Sequence, residues 1–172
     1  MIKLKEHFIN SFVAEVGQIS GTNFEYLCKP IFSLILKDTV LHKGHNLYGK
    51  PVGYTADFIA DNYEVIGQCG TDPNYFHDFV KPIKDIERCI SNHIKCKIVY
   101  LFANQRASGS EVTKLDKEIT DKWNKLKVEI YDAEKIAYII LDNISNTPKV
   151  EEVLNYLPKT FEYYRILPQT NK

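Results

Sequence analysis

Asp57-Phe-Ile-Ala-Asp-Asn-Tyr-Glu-Val-Ile-Gly-Gln-Cys-Gly70 is the stretch on which the reading of this chain turns. Residues 53–60 (GYTADFIA) and 63–69 (YEVIGQC) are rich in aromatic and β-branched side chains, and Asp61-Asn62 between them supplies turn chemistry, so the segment predicts a β-hairpin. Asp57 and Gln68 stand eleven positions apart around that turn, which makes them neighbours across the ladder. Period-two alternation places Glu64, Ile66, Gln68 and Gly70 on one face of the second strand. An acid within a strand, among Thr55, Phe58 and Ile59, is unusual, because Asp disfavours strands and its charge is costly to bury alone. A metal ion or a hydrogen-bond network would relieve that cost.

Working outward, the apolar spacing predicts a helix over Leu4 to Val16, stopped at Gly17, and a second carrying Phe24, Leu27, Ile31, Leu34 and Ile35, capped at Thr22 or Asn23 and kinked at Pro30. Downstream, Phe76, Phe79, Val80, Ile83, Ile86 and Ile90 form a helical stripe. The apolar run KIVYLFA at 97–103 reads as a strand, followed by a helix from Glu111 to Lys125, the short strand KVEIY at 127–131, and a helix marked by Ala133, Ile136, Ala137, Ile140 and Ile144. Strands with near-continuous apolar character between helices predict an α/β fold, with a mixed central sheet covered on both faces. VEEVLNYL and TFEYYRIL, at 150–157 and 160–167, predict extra C-terminal helices.

The chain of 172 residues, 44% hydrophobic, has the length of one domain of about 150 residues with a short appendage. We expect a core over about residues 20–145 and a helical appendage over about 146–168, with the whole serving as the N-terminal domain of something longer. Lys plus Arg and Asp plus Glu both number 22, which excludes a polybasic protein whose affinity comes from overall charge. No run reaches the roughly 18 apolar residues of a membrane span, and charge interrupts the N-terminus too early for a secretory segment, so no membrane and a cytoplasmic location are expected. Cys28, Cys69, Cys89 and Cys96 show no CxxC pair and read as reduced thiols. His42 and His45 lack the matching ligands of a zinc site.

Glu25 belongs to the ladder Glu25, Cys28, Phe32 that flanks the apolar stripe of the second helix, from which it can point toward the sheet. Glu25, Asp57 and Gln68 would bring three oxygen-bearing side chains from one helix and two strands to one place, a donor set suited to a hard divalent cation. Plainer readings stand beside this one. A Glu in a first helical turn is favourable through the helix dipole alone, and a strand Gln is commonly a satisfied amide.

The order of a helix with Gly21-Thr-Asn-Phe-Glu25, a strand with Gly53-Tyr-Thr-Ala-Asp57, a strand with Val65-Ile-Gly-Gln68, a helix, and a strand from Ile98 to Ala103 resembles the αβββαβ core of the PD-(D/E)XK nuclease superfamily, the restriction-endonuclease-like fold. A further short strand would lie around Thr39 to Leu47. The resemblance is closest to the Mrr-like branch, in which Gln replaces the second motif acid. It implies that Glu25, Asp57 and Gln68 bind Mg²⁺ or Mn²⁺, with Asp57 and Gln68 catalytic, and that the chain is an endonuclease cleaving DNA phosphodiesters, as the effector part of a restriction or anti-phage defence protein. Two positions after Gln68, where the family has a lysine, this chain has Gly70, which either lets the chain turn sharply or lets a nucleic-acid backbone approach. Lys84, one turn after Val80, is the candidate for a migrated lysine.

Lys43 and Lys50, with His42 and His45, occupy a loop free of acids, and Arg106 follows the strongest strand; these are the candidate phosphate contacts. The neutral balance calls for other domains or a homo-oligomer to complete a positive surface. The competing reading is a nuclease-fold domain that has lost catalysis and serves as a nucleic-acid-binding or assembly module, favoured by Gly70. A small-ligand α/β domain lacks support from any GxGxxG or GxxxxGK[ST] loop, and no GxSxG motif marks a hydrolase.

Overall fold

The structure, a computed structural model, describes residues 1–38, 40–43 and 56–168. Its elements in chain order are α1 (Ile2–Val16), α2 (Gly21–Leu36), β1 (Leu41–His42), β2 (Phe58–Ala60), β3 (Val65–Gly70), α3 (Val80–Asn92), β4 (Ile98–Ala103), α4 (Gly109–Lys122), β5 (Lys127–Tyr131), α5 (Ala133–Asp142), α6 (Thr147–Leu154) and α7 (Pro158–Ile166). The five strands form one mixed sheet in the order β1-β2-β3-β4-β5. The first three run antiparallel to their neighbours, and β3, β4 and β5 are parallel. The α/β reading of the sequence therefore holds. No helix among the described residues is long and apolar enough to cross a membrane.

Alternation along β4 divides the interior. Val99, Leu101 and Ala103 face a core shared with Ile86 and Cys89 of α3 and Leu115 and Ile119 of α4. Ile98, Tyr100 and Phe102 face the other core, built on α1, α2, α5, α6 and α7. Period two thus gives a three-layer body, with two helices on one side of the sheet and five on the other. The C-terminal helices are part of the larger core: Val150, Val153, Leu154 and Leu157 are all inaccessible to solvent.

Local chemistry explains the element ends that frame the site. Ser20 is the N-cap of α2 and accepts from the Asn23 N–H at 3.3 Å, two positions before Thr22, the earlier of the caps expected from the sequence. The β2–β3 turn is a short 3-10 turn in which Asp61, Asn62 and Tyr63 all take left-handed backbone angles (φ 46°, 51° and 72°). Asp and Asn tolerate that region better than other residues with side chains. Strand β2 is shorter than the sequence suggests. Asp57 lies in the bend immediately before it, and residues 53–55 lie outside the described residues.

Two glycines of β3 are required by what packs on them. A Cβ on Gly67 would come within 2.7 Å of the Phe32 ring, and one on Gly70 within 2.1 Å of the Tyr75 ring. Both lie far inside the closest contacts real side chains make. Gly70 is therefore covered by an aromatic ring on the α3 side of the sheet, which leaves no room there for a nucleic-acid backbone.

Candidate functional site

Asp57 precedes β2 at the point where the β2–β3 ladder ends. Its backbone carbonyl accepts from the N–H of Lys43, the residue after β1, at 2.7 Å, and its Oδ2 accepts from the Cys69 N–H of β3 at 2.8 Å. The carboxyl group thus takes the place of a ladder carbonyl and is held in the plane of the sheet. It is 7% exposed.

Glu25, from the first half of α2, lies close enough that its carboxyl group acts on that of Asp57. Burial, then Glu25, push the Asp57 carboxyl up to about 8, while the Cys69 N–H and the charge of Arg88 oppose the rise. At neutral pH the Asp57 carboxyl therefore keeps its proton, because burial beside a second carboxyl group disfavours its charged form. His42 of β1 places its Nε2 3.6 Å from Glu25 Oε2 and packs its ring against Tyr26 and Phe58, with centroids 5.3 Å away in each case. Burial holds the imidazole below its ordinary value, so it stays neutral at pH 7. Cys28 of α2 and Cys69 of β3 contact each other beneath the pair; burial raises both thiols, which keeps them protonated and weakly reactive. All four cysteines are free.

Gln68 stands opposite Asp57 where the β2–β3 register is continued by one residue. Alternation along β3 sends its side chain to the α3 face, where Oε1 accepts from the Cys89 thiol at 3.8 Å, whereas Glu25 comes from the α2 face. Helix α2 thus brings Glu25, and the β2–β3 register brings Gln68, toward Asp57. Among the described residues no group of three His, Cys, Asp or Glu side chains is arranged to hold a metal ion.

Lys84 is exposed on α3. The α3 charge felt at Asp57 is that of Arg88, a residue the sequence reading passed over. Arg88 Nη2 donates to the buried Asp85 Oδ1 at 2.9 Å, Lys81 Nζ to the same oxygen at 2.5 Å, and the Tyr75 hydroxyl to Asp85 Oδ2 at 3.2 Å. Tyr75 thereby seals Gly70 with its ring and anchors α3 with its hydroxyl. The sequence holds a signal for this cluster: Lys81, Asp85 and Arg88 follow i,i+4 and i,i+3 spacing, with the acid inside an apolar stripe.

Of the expected phosphate contacts, Lys43 is exposed and tied to Asp57 through its backbone. Arg106 is half-exposed and paired through Nε with Glu134 Oε2 at 3.0 Å. Asn104, beside it, is buried and donates to the Val16 carbonyl at 3.3 Å, which makes it a strut between β4 and α1. Lys50 and His45 lie outside the described residues. No family model, curated protein or solved structure matches the chain.

Proposed function

We propose that this chain is a metal-dependent nuclease domain of the restriction-endonuclease-like fold, acting on DNA phosphodiesters. The observation that carries this reading is the pairing of two carboxyl groups, Glu25 and the buried Asp57, at the mouth of the β2–β3 ladder. The order α2, three antiparallel strands, α3 and a strand parallel to β3 agrees with the αβββαβ core that the sequence resembles. Two hard carboxylate donors suit Mg²⁺ or Mn²⁺, since Mg²⁺ is commonly held by one or two carboxylates together with water and substrate phosphate. Glu25 and Asp57 would hold the ion, which when bound would supply an acidified water and neutralise phosphate charge.

The chain's own groups prepare that site. The Cys69 N–H fixes one Asp57 oxygen, and His42 packs beside Glu25. Arg88 contributes positive charge from α3, the element expected to replace the motif lysine. The test is nicking of supercoiled plasmid in Mg²⁺ or Mn²⁺ at low salt, with an Asp57→Asn variant and an EDTA blank. Nicking lost in both controls is the expected result.

The second reading, a nuclease-fold module that binds or assembles without cutting, is favoured by the Tyr75 ring over Gly70 and by the engagement of Gln68 with Cys89. Absence of nicking by the folded protein, with DNA binding retained, would select it. Assembly with further domains or with a second copy belongs to either reading.

A further inference from the structure

Glu25, Lys29 and Ser33 follow at intervals of four residues along α2, and Lys37 is its left-handed C-cap (φ 55°). Toward its C-terminal end the helix borders an open cavity of about 530 Å³, lined by Lys29, Ser33, Lys37 and Lys149 together with Asp38 and Glu152. Lys149, from the first turn of α6, donates to Ser33 Oγ at 2.7 Å, and that hydroxyl donates to the Asp38 carbonyl at 2.8 Å. None of the ion pairs among the described residues involves Lys29, Lys37 or Lys149.

Ordinary helix electrostatics explains only part of this. A lysine at the C-terminal end of α2 is favoured by the helix dipole, which accounts for Lys37. Lys149 sits in the first turn of α6, where the dipole opposes a cation, and it is half-buried against Ser33. Three ammonium groups facing one cavity against two carboxylates leave an excess of positive charge that an anion would neutralise.

Resting on the nuclease-fold reading above, we propose that this cavity holds backbone phosphates of the nucleic-acid strand engaged at Glu25 and Asp57, with Lys29, Lys37 and Lys149 as the contacts. Lys29 lies one turn from Glu25, and Lys37 lies about 18 Å from it along the axis, the rise of about five nucleotides at 3.4 Å each. The strand runs along α2, with the carboxyl pair at one end and the lysine cavity at the other.

The test is fluorescence anisotropy with a labelled 20-base-pair duplex and a labelled 20-nucleotide single strand, in EDTA so that nothing is cut, across 50–200 mM salt. The Lys29→Ala/Lys37→Ala/Lys149→Ala variant should bind at least about tenfold more weakly and lower the log–log salt slope by about 2 to 3, at about 0.9 per duplex contact or 0.7 per single-strand contact. The corresponding Lys→Arg variant should bind as the parent does. If loss of Lys149 unfolds the chain, Lys29→Gln/Lys37→Gln, at two exposed positions, should lower the slope by about 1 to 2. Unchanged affinity and slope in a folded variant overturn the proposal. So does inorganic phosphate that perturbs the cavity without competing with either oligonucleotide, which would assign the cavity to a small phosphate ligand. Lysine-dependent binding without plasmid nicking would sink the nuclease reading and leave this one standing; nicking with lysine-independent binding would do the reverse.

Discussion

Replacing Asp57 by Asn should stabilise the metal-free protein at neutral and alkaline pH, by an amount that grows with pH. The folded protein holds the Asp57 carboxyl at about 8 against an ordinary 3.8, chiefly through burial and then through Glu25. A folded value raised above the unfolded one means that the native state binds the extra proton between those limits. The contribution of the group is therefore fully present below about pH 4 and is lost as pH rises toward 8. The slope is about 1.4 kcal/mol per pH unit, and over the full interval of about four units the loss approaches a ceiling of about 6 kcal/mol. At pH 7 it is about 4 kcal/mol. Asn is nearly isosteric, keeps an acceptor for the Cys69 N–H and presents a donor to Glu25, so the variant should lack this slope. Urea titrations at pH 5, 6, 7, 8 and 9 in EDTA measure it. The stability difference between Asp57→Asn and the parent should widen from pH 5 to pH 8 and then level off. A difference that stays constant across that range would mean that Asp57 is already ionised in the folded protein, and would refute the description of Asp57 as protonated at neutral pH.

Three further outcomes follow from the same geometry. Gly70→Ala should destabilise by about 2–3 kcal/mol in chemical denaturation, because the new Cβ would stand 2.1 Å from the Tyr75 ring; Gly70→Lys should do no better and should not raise any nuclease activity. Asp85→Ala should cost about 1–3 kcal/mol by leaving the buried Tyr75 hydroxyl without its acceptor, and the cost should shrink in a Tyr75→Phe background, read as a double-mutant cycle. Mg²⁺ binding at pH 7 should release close to one proton, seen as a dependence of the calorimetric heat on buffer ionisation enthalpy, and Asp57→Asn should abolish that dependence.

Much of the fold was legible because its elements are locally amphipathic. The stripes along α2, α4 and α5, the apolar run of β4 and the hairpin turn at Asp61-Asn62 all state their periods within a few residues. What misled was extent. The first hairpin strand reads as running through Asp57, yet β2 begins at Phe58, because the Asp57 carboxyl takes the Cys69 N–H from the ladder. The candidate site was legible in part: an acid where strand chemistry disfavours one, and a Glu beside an apolar helical stripe, are the two groups the structure joins.

Sequence alone determined the order and type of the elements, the layered α/β class and the tension at Asp57, since each depends on residue chemistry read over a turn or two of chain. Tertiary structure decided which polar groups meet. Pleating sends Gln68 to the α3 face, Tyr75 occupies the space above Gly70, and Asp85 gathers Lys81 and Arg88 while Lys84 next to it stays exposed. Such meetings depend on register and on rotations of a fraction of a helical turn between packed elements. Those are set by the filling of two cores, and no local pattern in the chain encodes them.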